Sequence, residues 1–175
     1  MAIRRQYGWK RAAVLGIAAN IASALPAGYN GDESYFARLR TPPGSPPGWV
    51  FAPAWAVNNI LTLWSDLRIV NLPPGTRGRR SVLVSEGITW VLFAGFSSVY
   101  FGLRSPVLGA VDTVAGLATT AHATAATARI DRRAAWALVP RLIWLAYATY
   151  VSVGTALHSP DDLFGRARSR PAGSR

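Results

Sequence analysis

Five apolar stretches, each about long enough to cross a bilayer and each bounded by basic or proline-rich segments, constrain this chain more than any other feature of it. They run approximately over residues 11–27, 49–69, 81–103, 106–128 and 134–157. At about 1.5 Å of rise per residue, a helix of about 20 residues spans the roughly 30 Å of hydrocarbon, and only the first stretch falls short of that length. Helices buried in a soluble bundle would need polar outer faces. Residues 107–128 offer almost none: Asp112 and His122 are the only ionisable side chains in a run dominated by Ala, Val, Leu, Gly and Thr. Gly109, Ala110, Gly116, Ala118 and Ala121 suit the close helix approach that drives association in lipid. No alternating pattern bounded by hairpin turns suggests strands. The expected fold is an all-α membrane protein, a bundle of five transmembrane helices in contact with a lipid bilayer.

The organisation follows from what separates the stretches. Residues 1–10 form a basic N-terminal segment, 11–158 the membrane domain, and 159–175 a polar, Arg- and Gly-rich tail expected to be disordered. Connections of a few residues after Leu103 and after Ala128 force antiparallel neighbours. The long connection, 28–48, is stiffened by prolines and carries Tyr35, Phe36, Arg38 and Arg40, which marks it as a lid. The basic start and the apolar segment before Ala27 also fit a cleaved signal peptide, but four further spans make retention as the first helix the simpler reading.

Charge supports the same picture. The formal net charge is +11, yet the basic residues are clustered between apolar spans, unlike the continuous stripe of a nucleic-acid binder, so no nucleic-acid partner is expected. Five crossings put eleven Lys/Arg on the side of the N-terminus and seven on the other, which predicts a cytoplasmic N-terminus for this multi-pass chain. The absence of cysteine removes disulfides, thiolate metal sites and cysteine nucleophiles. No catalytic triad, phosphate-cradling glycine loop or metal-ligand spacing is present, so no cofactor is required and a binding protein is favoured over an enzyme.

The most specific string runs from Pro42 through Pro47-Gly48-Trp49-Val50-Phe51-Ala52-Pro53-Ala54-Trp55. A proline-stiffened loop enters a helix at an interfacial indole, with Pro53 near the first turn. This string resembles the P-P-x-W-x-F-x-P-x-W pattern of the TspO/MBR family, the tryptophan-rich sensory proteins and translocator proteins (peripheral benzodiazepine receptors). Tyr35-Phe36 is similar to that family's aromatic pair in the first loop, Tyr100-Phe101-Gly102-Leu103 to the end of its third helix, and Pro140-Arg141-Leu142-Ile143-Trp144 to P-Y-L-x-W in its fifth. The resemblance implies a pocket closed by the first loop that takes tetrapyrroles, porphyrin or haem, or other flat hydrophobic molecules, in the role of sensor, receptor or carrier. Homodimers are common in the family. On this basis the expected ligand-binding residues are Trp49, Phe51, Trp55, Asn59, Tyr35, Arg38, Phe93, Phe96, Trp144 and Tyr147. Light- and oxygen-dependent porphyrin breakdown, using Trp55 and Trp144, is the alternative, and transport of a hydrophobic cargo a further one.

Departures from the family pattern narrow the expectation. Where the third helix of the family has N-x-x-W-x-P, this chain reads Phe93-Ala94-Gly95-Phe96-Ser97-Ser98, which predicts a more apolar wall and a straighter helix. Asn59 stands in place of a tyrosine, Arg141 of another, and no basic residue follows Tyr147 and Tyr150 in sterol-motif spacing. An arginine inside a span needs a partner, and Arg141 is expected to pair with Glu86 or Asp66. Asp112 is expected to bond to its neighbouring helices, with a ligand-facing acid as the alternative; His122 is expected to be a hydrogen-bonded interior group in preference to a haem ligand, and Trp9, Trp64, Trp90 and Trp136 to belong to the interfacial aromatic belt.

Overall fold

Polar residues at the ends of the apolar stretches fix where the helices start. The computed structural model describes residues 7–29 and 33–165, and these contain five long helices and no strand. They are α1 (Trp9–Tyr29), α2 (Phe51–Val70), α3 (Arg79–Ser97), α4 (Pro106–Ala128) and α5 (Arg132–His158). Ser105 caps α4 by accepting from the Leu108 amide, with Pro106 in the first turn, where its missing N–H costs nothing. Asp131 caps α5 through the Arg133 and Ala134 amides and pairs with Arg68 at 2.6 Å. At the other end of α2, Arg79 donates to the carbonyls of Ile69 and Val70, satisfying two groups that the helix end leaves open.

The helices close into a ring in the order α1, α2, α5, α4, α3 and back to α1. Its surface is the inverse of a soluble protein's. Leu15, Ile21, Val57, Ile60, Val91, Val111 and Ile143 are exposed, whereas Asn58, Thr62, Ser65, Glu86, Thr89, Thr120, Arg141 and Thr155 are buried. Only a surrounding hydrocarbon makes that arrangement favourable, because it leaves apolar surface outside and pairs polar groups within. Hydrogen bonds cross between helices at Thr89–Thr119, Ser85–His122 and Asn59–Asn20. Two helices, Arg79–Gly102 and Arg132–His158, have the mean hydropathy of membrane spans, 1.6 and 1.2. The other three, of 21, 20 and 23 residues, have spanning length, with the apolar surfaces described above.

Three expectations are corrected. The third helix does not run straight to its end: it is regular to Ser97 and then widens into a π turn over Ser98–Gly102. The turn brings Tyr100 against Gly109, where an added Cβ would lie 2.3 Å from the ring. Trp90 does not belong to the interfacial belt, because its indole N–H donates to Asp66 at 2.9 Å inside the bundle. The start of the tail is ordered. Asp161 is 2% exposed and accepts from the Ser105 hydroxyl and from the amides of Val107, Leu163 and Phe164, tying the segment after α5 to the start of α4. Residues 166–175 and the basic pair Arg4 and Arg5 lie outside the described residues.

Burial pushes the Asp161 carboxyl up, but these hydrogen bonds outweigh it and hold the group below its ordinary value. A carboxylate lowered in this way stabilises the fold fully above its unfolded value of about 4 and loses that contribution as pH falls through the folded value. Asp161→Asn should therefore lower the thermal midpoint at pH 7 by an amount corresponding to about 1 kcal/mol, the usual worth of a helix cap. Thermal melts in detergent should show the gap between variant and wild type closing in acid.

Candidate functional site

All five helices contribute to one small cavity near the lid end of the ring. Ser23 comes from α1, Phe51 and Trp55 from α2, Thr89, Phe93 and Phe96 from α3, Asp112 and Gly116 from α4, and Arg141, Leu145 and Ser152 from α5. The aromatic walls are mutually packed. Trp55 lies 5.0 Å from Phe93 and meets Trp144 edge-on at 6.5 Å, while Phe51 meets Trp144 at 5.6 Å. The cavity holds about 70 Å³. That is less than the roughly 150 Å³ in which one benzene ring is accommodated, so a larger ligand enters only as the walls or the lid move apart.

The lid is latched to α5. Tyr147 donates its hydroxyl to the Gly44 carbonyl and Tyr150 to the Pro43 carbonyl at 3.0 Å, while the Arg40 amide donates to Ser159 at 2.8 Å. Gly154 allows the close approach: a Cβ there would stand 2.6 Å from Pro42. Behind the latch, Tyr35 and Leu39 pack with Tyr100, and Phe36, Phe96 and Phe101 surround them.

Of the residues expected to bind ligand, Phe51, Trp55, Phe93 and Phe96 meet in the cavity. Trp144 and Tyr147 instead line an outward-facing groove of about 570 Å³ between α2 and α5, together with Pro53, Val57 and Ile143. The other four are elsewhere. Trp49 is 76% exposed, because it sits in the short turn before α2 and not on the helix face that points inward. Tyr35 is buried in the lid's own cluster, and Arg38 is exposed. Asn59 faces α1, where its amide donates to Asn20 at 3.2 Å.

Two residues are more informative than their sequence setting suggested. Of the two readings of Asp112, bonding to neighbouring helices is not what the structure has: the side chain lines the cavity and has no hydrogen bond or ion pair among the described residues. Its place six residues into an apolar helix was the available signal. Arg141 is 1% exposed and lies 3.7 Å from Glu86, with closer contacts to the Thr62 hydroxyl at 3.3 Å and the Thr89 carbonyl at 3.5 Å. Trp90 completes the cluster, with its ring face 5.4 Å from the guanidinium and its N–H on Asp66. The Arg141 Nε and both Glu86 oxygens have no hydrogen-bond partner among the described residues. His122, as expected, is hydrogen-bonded inside the bundle, to Ser85 at 2.8 Å.

A buried ion pair held this loosely recovers little of its desolvation cost, but removing one member leaves a naked charge. Glu86→Ala should therefore cost about 3–5 kcal/mol. The triple change Arg141→Met, Glu86→Gln, Asp66→Asn, which removes all three charges, should recover most of that loss in thermal melts. A separate result is expected at the latch: Tyr147→Phe with Tyr150→Phe should raise the rate of proteolytic cleavage within residues 37–47 several-fold without unfolding the bundle.

Comparison with known proteins supplies a context for this geometry. The profile of the TspO/MBR family matches residues 12–157. A tryptophan-rich protein TspO from Chlorobaculum tepidum is 30% identical over 145 residues, covering 79% of this chain and 84% of the relative. Proteins of the same name from Archaeoglobus fulgidus and Bacillus cereus are 24% and 27% identical over 154 and 124 residues. These matches cover 78% and 69% of this chain, and 92% and 78% of the relatives.

Proposed function

The chain belongs to the TspO/MBR family, and on that premise we propose that it is a membrane receptor for flat hydrophobic molecules, tetrapyrroles first among them, which it senses or carries. The observation that supports this most is the convergence of Phe51, Trp55, Phe93 and Phe96 on one cavity reached by all five helices. A planar π-system gains both buried area and ring contacts against such walls, each aromatic pair adding about 0.5–1.5 kcal/mol. Because the cavity is too small for a tetrapyrrole, binding in this reading is coupled to release of the Tyr147 and Tyr150 latch and outward movement of the lid. In this reading Arg38 and Arg40, which are exposed on that lid, take up the propionates, where a charge-assisted hydrogen bond forms without being buried. With the N-terminus cytoplasmic, the lid lies on the opposite face of the membrane and samples ligand from there.

Each residue has a distinct part. Trp55 and Phe93, packed on each other, supply one joint surface against which a ring lies, Phe51 and Phe96 bound its edges, and the lid excludes water and lipid once it recloses. Trp144 stands behind Trp55, and its N–H has no partner among the described residues. That edge-on indole pair also keeps a photo-oxidative role open as a second reading, since excitation of a bound porphyrin would place two oxidisable rings within reach.

Titration of the purified protein with protoporphyrin in darkness, followed by tryptophan quenching, tests the proposal. Saturable binding is expected, weakened about tenfold or more by Trp55→Ala as a stacking surface is lost. Absence of saturable binding to wild type overturns it. Illumination then separates the two readings: stable porphyrin absorbance fits a receptor or carrier, and loss that depends on Trp55 and Trp144 fits an enzyme.

A further inference from the structure

The cavity has two polar ends that differ in charge. At the deep end Arg141 faces Glu86 and Asp66, so its single positive charge is matched by two carboxyl groups. Near the lid end stands Asp112. The Thr149 hydroxyl donates to the Thr113 carbonyl and fixes the level of Asp112 beside the upper part of α5. Thr119, seven residues further along α4, accepts from the hydroxyl of Thr89, whose carbonyl receives Arg141. Seven residues of helix amount to about 10 Å, so Arg141 is beyond pairing distance of Asp112.

Among the described residues Asp112 is thus an acceptor with no donor. Its neighbour Thr113 is committed to the Ala110 carbonyl at 3.0 Å, and neither Ser23 nor Ser152, which line the same cavity, bonds to it among the described residues. Around it are the faces of Phe51, Trp55, Phe93 and Phe96, and aromatic faces attract a cation through their quadrupoles. A carboxyl group lacking a counter-ion within walls of this kind, over a deep end that has no spare positive charge, is complementary to a cation and opposed to an anion. The small volume, about 70 Å³, limits what enters the closed form to a head group, with the apolar body of the ligand left toward the lid.

We infer that Asp112 is the counter-ion for a protonated amine, and that the cavity selects apolar or aromatic molecules bearing a cationic nitrogen over their neutral and anionic isosteres. The inference rests on the reading of this cavity as a ligand site and adds its charge specificity. It also orients a ligand that carries both signs: the nitrogen points inward to Asp112, and acidic groups remain at the mouth with Arg38 and Arg40.

Three naphthalene probes of nearly equal size test it: 1-naphthylmethylamine, a cation at neutral pH, 1-naphthalenemethanol, neutral, and 1-naphthoate, an anion. Their binding to the full chain in non-ionic detergent is measured by equilibrium dialysis, read from the probes' own fluorescence, for wild type and Asp112→Asn. Wild type should bind the amine at least tenfold more tightly than the alcohol and the naphthoate most weakly. Asp112→Asn should bring the amine down to the affinity of the alcohol and leave the alcohol unchanged. Equal binding of amine and alcohol, tightest binding of the naphthoate, or a preference that survives Asp112→Asn overturns the inference. If the variant does not fold, the order of the three probes on wild type decides alone. Failure of all three probes beside saturable protoporphyrin binding refutes the amine site only, whereas failure of protoporphyrin as well refutes the receptor reading with it.

Discussion

Every other feature of this structure depends on the exclusion of water from the outside of the bundle. With hydrocarbon as solvent, the backbone must satisfy itself within helices, and polar side chains are forced inward to find one another. The buried Asn, Thr, Ser, Glu and Arg side chains are the result, and the hydrogen bonds among them set which helix faces meet. The same constraint explains the cavity. Helices drawn together by short polar contacts at several levels leave a gap where Phe51, Trp55, Phe93 and Phe96 are too large to interdigitate closely with Gly116 and Ala148 opposite.

The lid belongs to this economy of polar groups. Residues 37–47 are too rich in proline to satisfy their carbonyls internally, so two are taken up by tyrosine hydroxyls from α5. The latch therefore serves the loop's own hydrogen bonding, and water or ligand groups can substitute for it when the loop lifts. That exchange is cheap compared with opening a packed helix interface, and it makes the mouth the natural route of entry.

Much of the fold was legible in the sequence, and for a physical reason: apolar length and short basic connections leave few alternatives in a bilayer. The five helices, the antiparallel neighbours and a carboxylate partner for Arg141, either Glu86 or Asp66, follow from hydropathy and depth. The cavity's aromatic residues were reached through the family resemblance, and that reading and the structure agree where one helix carries two of them on an inward face, as at Phe51 and Trp55, or at Phe93 and Phe96. It was not legible where neighbours from other helices decide orientation. Asn59 was drawn to Asn20, Trp90 to Asp66, and Trp144 to the rim of an outer groove. Asp112 illustrates the same limit, since its sequence gives the depth of a carboxyl group but not the missing partner.

The central claim is that ligands occupy the space enclosed by the five helices and not the larger groove that faces lipid between α2 and α5. A structure of the protoporphyrin complex in a lipid environment measures this directly. The account predicts a ring held against Trp55 and Phe93 inside the bundle, with residues 37–47 displaced from Tyr147 and Tyr150. A ring lying outside, against Pro53, Ile143 and the outer face of Trp144 with the latch intact, would contradict it.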